Sequence, residues 1–497
     1  MPAVGIVFIV SASPYAFPQS NMFEAFLISI VLVGLGPALM YGMLAASMPR
    51  SGGDYVYTTR ILHPAIGFMT NWIFTVTVLS FIGSAGYVFP SSALNVFVAT
   101  IGQLTNNQSL ITNSAWFATR TGELVTGTIL VFGIVILMSL GRAVWNFMKI
   151  LFFIVMIGTV VNIAFLLSVS QSSFIAAFNT HFAGQVTYNG VIQAAVAAGY
   201  KQGSTLSGTL GGLVYAMAGL IGFNFAAYSA GEAKNSRKTM PIAIVGSLII
   251  GGLIFAAWAF GIYHAFGYDF FSAANYLTAA GIPSPLPISA SVNSLFTLIP
   301  QNPIVEILGA LAFGLAWIWL TPTDFLPVVS NLFAWSFDRV GPARLADVND
   351  RFHTPIKTII LAGVIGEVML ILFVYTNFSV AFANTAILLN LVFFITSIAA
   401  ILFPYRAKDI FELAPSWVKA KVLGVPAVTL VGIFSAAVEL LLLYGAFTNA
   451  FIGGAPVSYP ISAGIAIAGL VIYYIAKWYR KSQGIDLETV FKTIPPD

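Results

Sequence analysis

The sequence of 497 residues contains no cysteine, and only 8% of its residues are charged. Without cysteine the chain has no disulfides, no thiolate metal sites and no cysteine nucleophiles. Soluble domains usually carry about a quarter charged residues. Hydrophobic residues make up 58% of this chain, so we expect lipid rather than water to surround most of it.

Several functional signatures are also missing. The chain has no GxxxxGK[ST] phosphate loop and no polar stretch long enough for a soluble domain, which argues against ATP-driven transport by this chain alone. It shows no acid/base constellation, metal cluster or nucleophile motif, so we expect neither an enzyme nor a bound cofactor. The net charge of +4 is too small to indicate a nucleic-acid partner.

The apolar stretches predict an all-α integral membrane protein with twelve spans in a lipid bilayer. The first span, at about 3–18, is doubtful. The clear spans, numbered 2 to 12, lie near 23–48, 68–100, 122–141, 143–169, 209–231, 241–267, 304–337, 355–376, 378–404, 422–447 and 455–480. We expect one transport domain over 1–481 and a short polar tail over 482–497. The long polar loops at 170–208 and 268–303 predict short surface helices.

The distribution of basic residues predicts the orientation. With a cytoplasmic N-terminus, 19 of the 21 lysines and arginines fall on the cytoplasmic side, and only Arg120 and Lys201 fall outside. The positive-inside rule then predicts a multi-pass protein of the cell membrane with a cytoplasmic C-terminus. Spans 2 to 12 keep their sides whether or not span 1 crosses.

The most specific string lies between spans 2 and 3 and runs Pro49-Arg50-Ser51-Gly52-Gly53-Asp54-Tyr55. Taken alone, its paired glycines indicate a tight turn between helices. The string also resembles the P-x-[SA]-G-G-x-Y pattern of amino acid–polyamine–organocation permeases. The stretches Glu232–Pro241 and Phe337–Pro342 resemble two further loops of that family, with Ser236 in place of a usual proline.

The resemblance implies an inverted repeat of five plus five helices followed by two extra helices. Repeat 1 covers about 1–169, repeat 2 covers about 209–404, and the extra helices cover about 422–480. Spans 1 and 6 are broken near mid-membrane in this family. Their exposed N–H and C=O groups hold a carboxylate and an ammonium group.

Span 6 contains the run Ala216–Gly222, in which two glycines have small neighbours. Small residues also serve close helix packing, but together with the resemblance they favour an unwound segment. We therefore predict substrate-binding residues at Ala218, Gly219, Gly222 and Asn224. Some family members have a pH-linked glutamate at the position of Asn224 and a gating aromatic near Ala218, and neither role carries over.

Span 1 departs from the family pattern. Counting back from Pro49 puts Gly5 at the break, so the first half of that helix would precede Met1. Either translation begins upstream, which we favour, or the protein lacks half a helix. Gly5 and Ser11 are the remaining candidates for substrate binding in this span.

Lys149 lies about two turns into span 5. A lysine at this depth can extend its ammonium to the interface, and this reading explains it as well as any other. In proton-coupled members of the resembled family, a lysine here takes the place of sodium. That likeness implies that Lys149 releases and regains a proton during transport.

Asp324 lies near the middle of span 8, where a charge costs roughly 2.5–3.5 kcal/mol. Pro322 and Pro327 beside it are expected to break the helix ladder. The carboxylate can pair with the span-5 lysine, can join Thr321 and Thr323 as oxygen ligands of a sodium ion, or can have a structural role. No other metal site is predicted. We expect Glu367 and Glu439, in spans 9 and 11, to be structural or subunit-contact residues.

Together these features predict a secondary active transporter of amino acids or related amine-containing solutes. It would work by alternating access, as a proton-coupled symporter or exchanger. The substrate carboxylate would meet the helix end near Gly5, and its amine the carbonyls of 218–222. One alternative is sodium-coupled symport, and one from another class is a non-transporting nutrient sensor on the same fold. The solute, the coupling ion, the direction and the oligomeric state stay open.

Overall fold

The computed structural model describes residues 2–299, 303–376, 385–449 and 456–491. The described chain is almost entirely helical. Its only strands there are two short ones, β1 (Lys421–Val422) and β2 (Val425–Pro426), which form an antiparallel hairpin. The predicted class, an all-α membrane protein, is confirmed.

Fifteen α-helices precede span 8. They are α1 (Pro2–Ala16), α2 (Met22–Val33), α3 (Leu39–Ser47), α4 (Asp54–Ile61), α5 (Pro64–Phe89), α6 (Asn95–Leu104), α7 (Gln108–Ser114), α8 (Arg120–Ser139), α9 (Arg142–Ser168), α10 (Gln171–His181), α11 (Tyr188–Ala197), α12 (Leu206–Gly219), α13 (Ser236–Phe266), α14 (Tyr268–Ala279) and α15 (Val292–Phe296).

The helices from span 8 onward are α16 (Pro303–Phe337), α17 (Ile356–Tyr375), α18 (Thr385–Arg406), α19 (Lys408–Glu412), α20 (Ser416–Lys419), α21 (Ala427–Thr448), α22 (Ser458–Ser482) and α23 (Leu487–Val490). Short 3-10 segments cover Ala115–Ala118, Phe223–Glu232 and Ala343–Ala346.

Eleven segments of the described chain are long and apolar enough to cross a bilayer, and they overlap the predicted spans 2 to 12. Span 2 comprises α2 and α3, span 3 comprises α5 and α6, and span 6 comprises α12 with the 3-10 segment after it. The doubtful span 1 corresponds to α1, which has 15 residues. At 1.5 Å per residue it is about 22 Å long, less than the thickness of the hydrocarbon core.

Two spans contain irregular segments that we did not predict from the sequence. Span 2 passes through a π-helical segment, Gly34–Ala38, in which Gly36 leaves helical geometry and Pro37 supplies no N–H. Span 3 has a similar segment at Pro90–Leu94. In span 8, α16 stays helical through Pro322 and Pro327, each of which removes one hydrogen bond from its ladder.

Short helices on the outer loops confirm the prediction for 170–208 and 268–303. They are α10, α11, α14 and α15, and α14 packs against α1. The Tyr268 hydroxyl donates to Ser20 O at 3.0 Å, and Thr205 N donates to Gln19 O at 3.0 Å. From span 11, Asn449 Nδ2 donates to Ala16 O at 3.0 Å. Hydrogen bonds therefore connect the end of α1 and the loop after it to α14, to the residue before α12 and to the end of span 11.

At the opposite end, which we call the basic end, the loops 48–63, 140–141 and 338–355 border one cavity together with the last turn of span 6. Arg60 of α4 pairs with Asp338 at 2.9 Å, and both side chains are at most 3% exposed. This ion pair links the loop after span 2 to the loop after span 8.

The tail packs on α4 at the basic end. Phe491 lies with its ring centroid 5.1 Å from the Arg60 guanidinium carbon. Aromatic rings form a continuous contact from span 8 to α4, which we call the aromatic column. Its members, in order of contact, are Trp335, Phe68, Tyr473, Phe491 and Tyr55.

Asp54, at the start of α4, is fully buried. Its Oδ1 accepts from Asn71 Nδ2 of span 3 at 2.8 Å, and its Oδ2 accepts from the Tyr41 hydroxyl of span 2 at 3.3 Å. Trp335 Nε1 of span 8 donates to Asn71 Oδ1 at 2.7 Å. One carboxylate thus connects α4 to three spans. Burial raises its pKa to about 6, although these hydrogen bonds act to lower it.

We expect Asp54→Asn to flatten the pH dependence of stability. In the folded protein the Asp54 pKa is about 6, against an ordinary value of 3.8, so the folded state binds an extra proton between these values. Stability from this group is therefore present at low pH and is lost as the pH rises from 4 to 6, by about 3 kcal/mol. Thermal unfolding in detergent from pH 4 to pH 7.5 measures this slope.

The control is Asp347→Asn, which removes an exposed carboxylate paired with Lys357. This variant should keep the slope of the unaltered protein. Equal slopes for the unaltered protein and Asp54→Asn would contradict the role given to Asp54.

Candidate functional site

Span 6 is broken at the position that the sequence predicts. α12 ends at Gly219, and Gly222 takes φ +113°, a conformation that suits glycine. A 3-10 helix follows from Phe223. Because the helix ladder stops here, the N–H groups of Gly222, Phe223 and Asn224 have no hydrogen-bond acceptor among the described residues. The carbonyls of 219–221 likewise accept no hydrogen bond there.

The break therefore presents both kinds of peptide group within a few residues. Three N–H groups at a helix start attract an anion, and the carbonyls before them attract a cation. Ala218, Gly219 and Gly222 are each partly exposed, so the peptide groups border open space. A small zwitterion carries the two charges that such an arrangement binds.

Asn224 adds an unusual side chain to the break. It is fully buried, and neither Oδ1 nor Nδ2 has a hydrogen-bond partner in the part of the chain that the structure describes. Leaving a buried amide unpaired costs about 1–3 kcal/mol per group. The amide is thus available to a bound solute.

α1 lies directly against the break. A Cβ placed on Gly219 would come within 2.4 Å of Ile9 Cδ1, so only glycine allows this approach. Ser11, half a turn further along α1, has a buried hydroxyl with no partner among the described residues. Gly5 lies within the continuous helix α1, and the surroundings of its own turn fall outside the described side chains.

Span 8 contacts both α1 and the 3-10 segment of span 6. Asp324 is 1% exposed, and its Oδ1 has no hydrogen-bond partner among the described residues. Thr321 Oγ1 donates to Trp317 O at 2.9 Å, and Thr323 Oγ1 donates to Leu320 O at 2.5 Å. Both hydroxyls bond to carbonyls of the turn before Pro322 in the same helix.

The two threonines point to different places. Thr321 is fully buried, as is Asp324, whereas Thr323 lines a shallow cavity of about 240 Å³ between α9 and α16. Lys149 lines the same cavity with its side chain exposed. Lys149 and Asp324 form no ion pair, so the pairing considered for them is not present. Lys149, on α9, lies in the cavity beside α16. Asp324, on α16, is buried in the core.

A larger cavity of about 950 Å³ opens at the basic end. Its walls include Arg50, Tyr55 and Glu232, and it shares Val144, Trp145 and Leu326 with the cavity at Lys149. The two cavities therefore adjoin along α9 and α16. The sequence revealed neither cavity.

The sequence reading also missed the polar network at Asp54. It treated the paired glycines as a turn and assigned no role to the aspartate that follows. One signal was present: a carboxylate next to an apolar span, with the amide Asn71 and several tyrosines nearby in the chain. That composition indicates a buried polar network, but it does not say which elements the network joins.

Comparison with protein families supports this description of the fold. A family model described as amino acid permease matches residues 3–477, which is nearly the whole chain. The match runs from α1 through the break in span 6 and ends within span 12. The chain belongs to the amino acid permease family, within the amino acid–polyamine–organocation superfamily.

Proposed function

We propose that this protein is a secondary active transporter of amino acids or related amine-containing solutes, working by alternating access. The observation that carries the proposal is the break in span 6. Its free N–H and C=O groups offer complementary partners to the two ends of a zwitterion. Membership in the amino acid permease family supports the same solute class.

In the proposed pose, the solute carboxylate accepts hydrogen bonds from the N–H groups of Gly222, Phe223 and Asn224. The ammonium group donates to the carbonyls of 219–221, and the Asn224 amide bonds to either end. Ile9 of α1 closes the site beside Gly219, whereas Ser11 lies about 200° further around that helix. This pose places the carboxylate at span 6, whereas the sequence reading had placed it near Gly5.

The proposed orientation puts the basic end in the cytoplasm, since most lysines and arginines lie in its loops. The C-terminus is then cytoplasmic as well. The larger cavity opens at this end. At the opposite end, hydrogen bonds hold the end of α1 and the loop after it to α14 and span 11. The described conformation thus corresponds to an inward-facing state of the transport cycle.

For coupling we propose proton transfer at Lys149. Its side chain lies in a cavity that adjoins the cytoplasmic opening, so protons and water reach it. Sodium coupling is the second candidate, and Asp324 favours it, because a buried carboxylate oxygen without a partner suits a cation. Thr321 would be its nearest hydroxyl ligand in that case, and Thr323, in the cavity wall, would be less suited.

We expect the purified protein in liposomes to accumulate a labelled amino acid from a panel of the common ones. Methyl esters and N-acetyl derivatives of that amino acid should compete at least tenfold more weakly, because each lacks one of the two charged groups. A solute that raises the melting temperature but is never accumulated would instead indicate the nutrient sensor.

We expect Asn224→Ala to raise the KM for uptake roughly tenfold, since the solute loses a hydrogen bond to a buried amide. Its melting temperature should not fall, because the substitution also removes an unpaired polar group. Asn275→Ala is the matched control: Asn275 is buried, but its Nδ2 already donates to Phe271 O and Ala290 O. That variant should melt lower with an unchanged KM. The reverse pattern would refute the role of Asn224.

We expect Lys149→Ala to abolish uptake driven by a pH gradient while exchange of internal for external solute continues. The control is Lys201→Ala, an exposed lysine in an outer loop. Uptake in sodium-free buffer separates the two couplings. Gradient-driven uptake that survives in Lys149→Ala, needs sodium and is lost in Asp324→Asn would replace proton coupling with sodium coupling.

A further inference from the structure

Span 11 carries a buried acid that the transport site does not use. Glu439 of α21 is 1% exposed, and its Oε2 has no hydrogen-bond partner in the described part of the chain. A carboxylate in the membrane interior must be neutralised by a proton or by a cation. No lysine or arginine occurs in span 2 or span 11, and the described part of span 10 has only Arg406 at its end.

The irregular segment of span 2 packs against span 11 near this acid. A Cβ placed on Gly36 would lie 3.3 Å from Ser435 Cα, so the two backbones meet there. Ser435 precedes Glu439 by four residues, which puts both side chains on one face of α21, about one turn apart. The kink of span 2 and the carboxylate therefore share one interface.

Both helices offer further oxygen atoms at this interface. Consecutive spans alternate in direction, so spans 2 and 11 run antiparallel. Going outward from the Gly36–Ser435 contact, Glu439 lies about 6 Å along α21, and Ser29 lies about 10 Å along α2. Ser29, seven residues before Gly36, has a buried hydroxyl with no partner among the described residues.

Span 10 orients the serine of span 11. The Ser397 and Ser435 hydroxyl oxygens are 2.8 Å apart, and Ser397 donates to Phe393 O at 2.8 Å. Because Ser397 uses its proton on that carbonyl, Ser435 must donate to Ser397. The lone pairs of the Ser435 oxygen then stay free to accept. The irregular backbone of span 2 at Gly36 lies beside this serine.

We propose that Glu439, Ser435 and the kinked segment of span 2 form a binding site for a monovalent alkali cation. A single carboxylate balances a single positive charge, and all neighbouring candidate ligands are uncharged oxygens, which alkali cations prefer. A divalent ion would need more carboxylates. Bound cation would hold span 11 to the kinked form of span 2. The site is separate from Asp324, Lys149 and the solute site.

The test is the melting temperature in detergent without any solute, titrated with NaCl or KCl against choline chloride at constant ionic strength. We expect a saturable rise of several degrees with an alkali cation, which Glu439→Gln abolishes. Glu367→Gln is the control: Glu367 is another membrane glutamate, in span 9, whose Oε1 accepts from Thr128 Oγ1 at 2.5 Å although its Oε2 has no partner among the described residues. It should keep the rise.

Ser435→Ala provides a second variant should Glu439→Gln fold poorly. It should shift the cation titration to about tenfold higher concentration while keeping the same maximal rise. The proposal is overturned if neither cation raises the melting temperature between pH 6 and pH 9, since a proton alone then neutralises the acid. It is also overturned if both variants titrate like the unaltered protein. Neither result depends on uptake, so the outcome is independent of the transport assignment.

Discussion

In a bilayer, the peptide groups of a chain must find partners within the protein, because lipid offers neither donors nor acceptors. Each unpaired group costs several kcal/mol in hydrocarbon. The break in span 6 leaves such groups free at Gly222, Phe223 and Asn224. It is tolerated because α1 and span 8 pack around it, with Ile9 against Gly219, so the free groups face protein instead of lipid.

The buried acidic residues fall into two groups, according to the hydrogen-bond and ion-pair partners of their oxygens. Asp54 and Asp338, at the basic end, are buried but bonded, the first to Asn71 and Tyr41 and the second to Arg60. These contacts join spans to one another, so they serve the architecture. Asp324, Glu367 and Glu439, within the membrane, each keep an oxygen without a partner among the described residues, although the other oxygen of Glu367 accepts from Thr128. A buried carboxyl oxygen without a partner in the fold can accept a hydrogen bond from a ligand or coordinate a cation.

Much of the fold could be predicted from the sequence, because spans 2 to 12 are long apolar runs and a run of that length in lipid has to be helical. The glycines at 219 and 222 indicated the break in span 6, since an interruption needs residues that tolerate unusual backbone angles. The kink of span 2 also contains two glycines, at 34 and 36, but we did not predict it. A proline was a poor guide on its own: Pro37 marks a real distortion, whereas Pro322 does not.

The side-chain arrangement was less accessible to the sequence. The position of Lys149 along span 5 does not decide which way its side chain faces, and the structure puts it in a cavity between α9 and α16 instead of opposite Asp324. Nothing local to Asp54 says that Tyr41, Asn71 and Trp335 converge there, because the three belong to different spans. Such contacts depend on helix rotation and crossing angle, which a pattern of apolar residues leaves open.

The aromatic column has a mechanical consequence for the cavity at the basic end. Trp335, Phe68, Tyr473, Phe491 and Tyr55 touch in sequence, so span 8, span 3, span 12 and α4 are joined by ring contacts. Any widening of the cavity mouth that displaces α4 must either carry span 12 with it as one rigid body or pull these rings apart. Span 12 therefore either moves together with α4 or restrains the movement of α4.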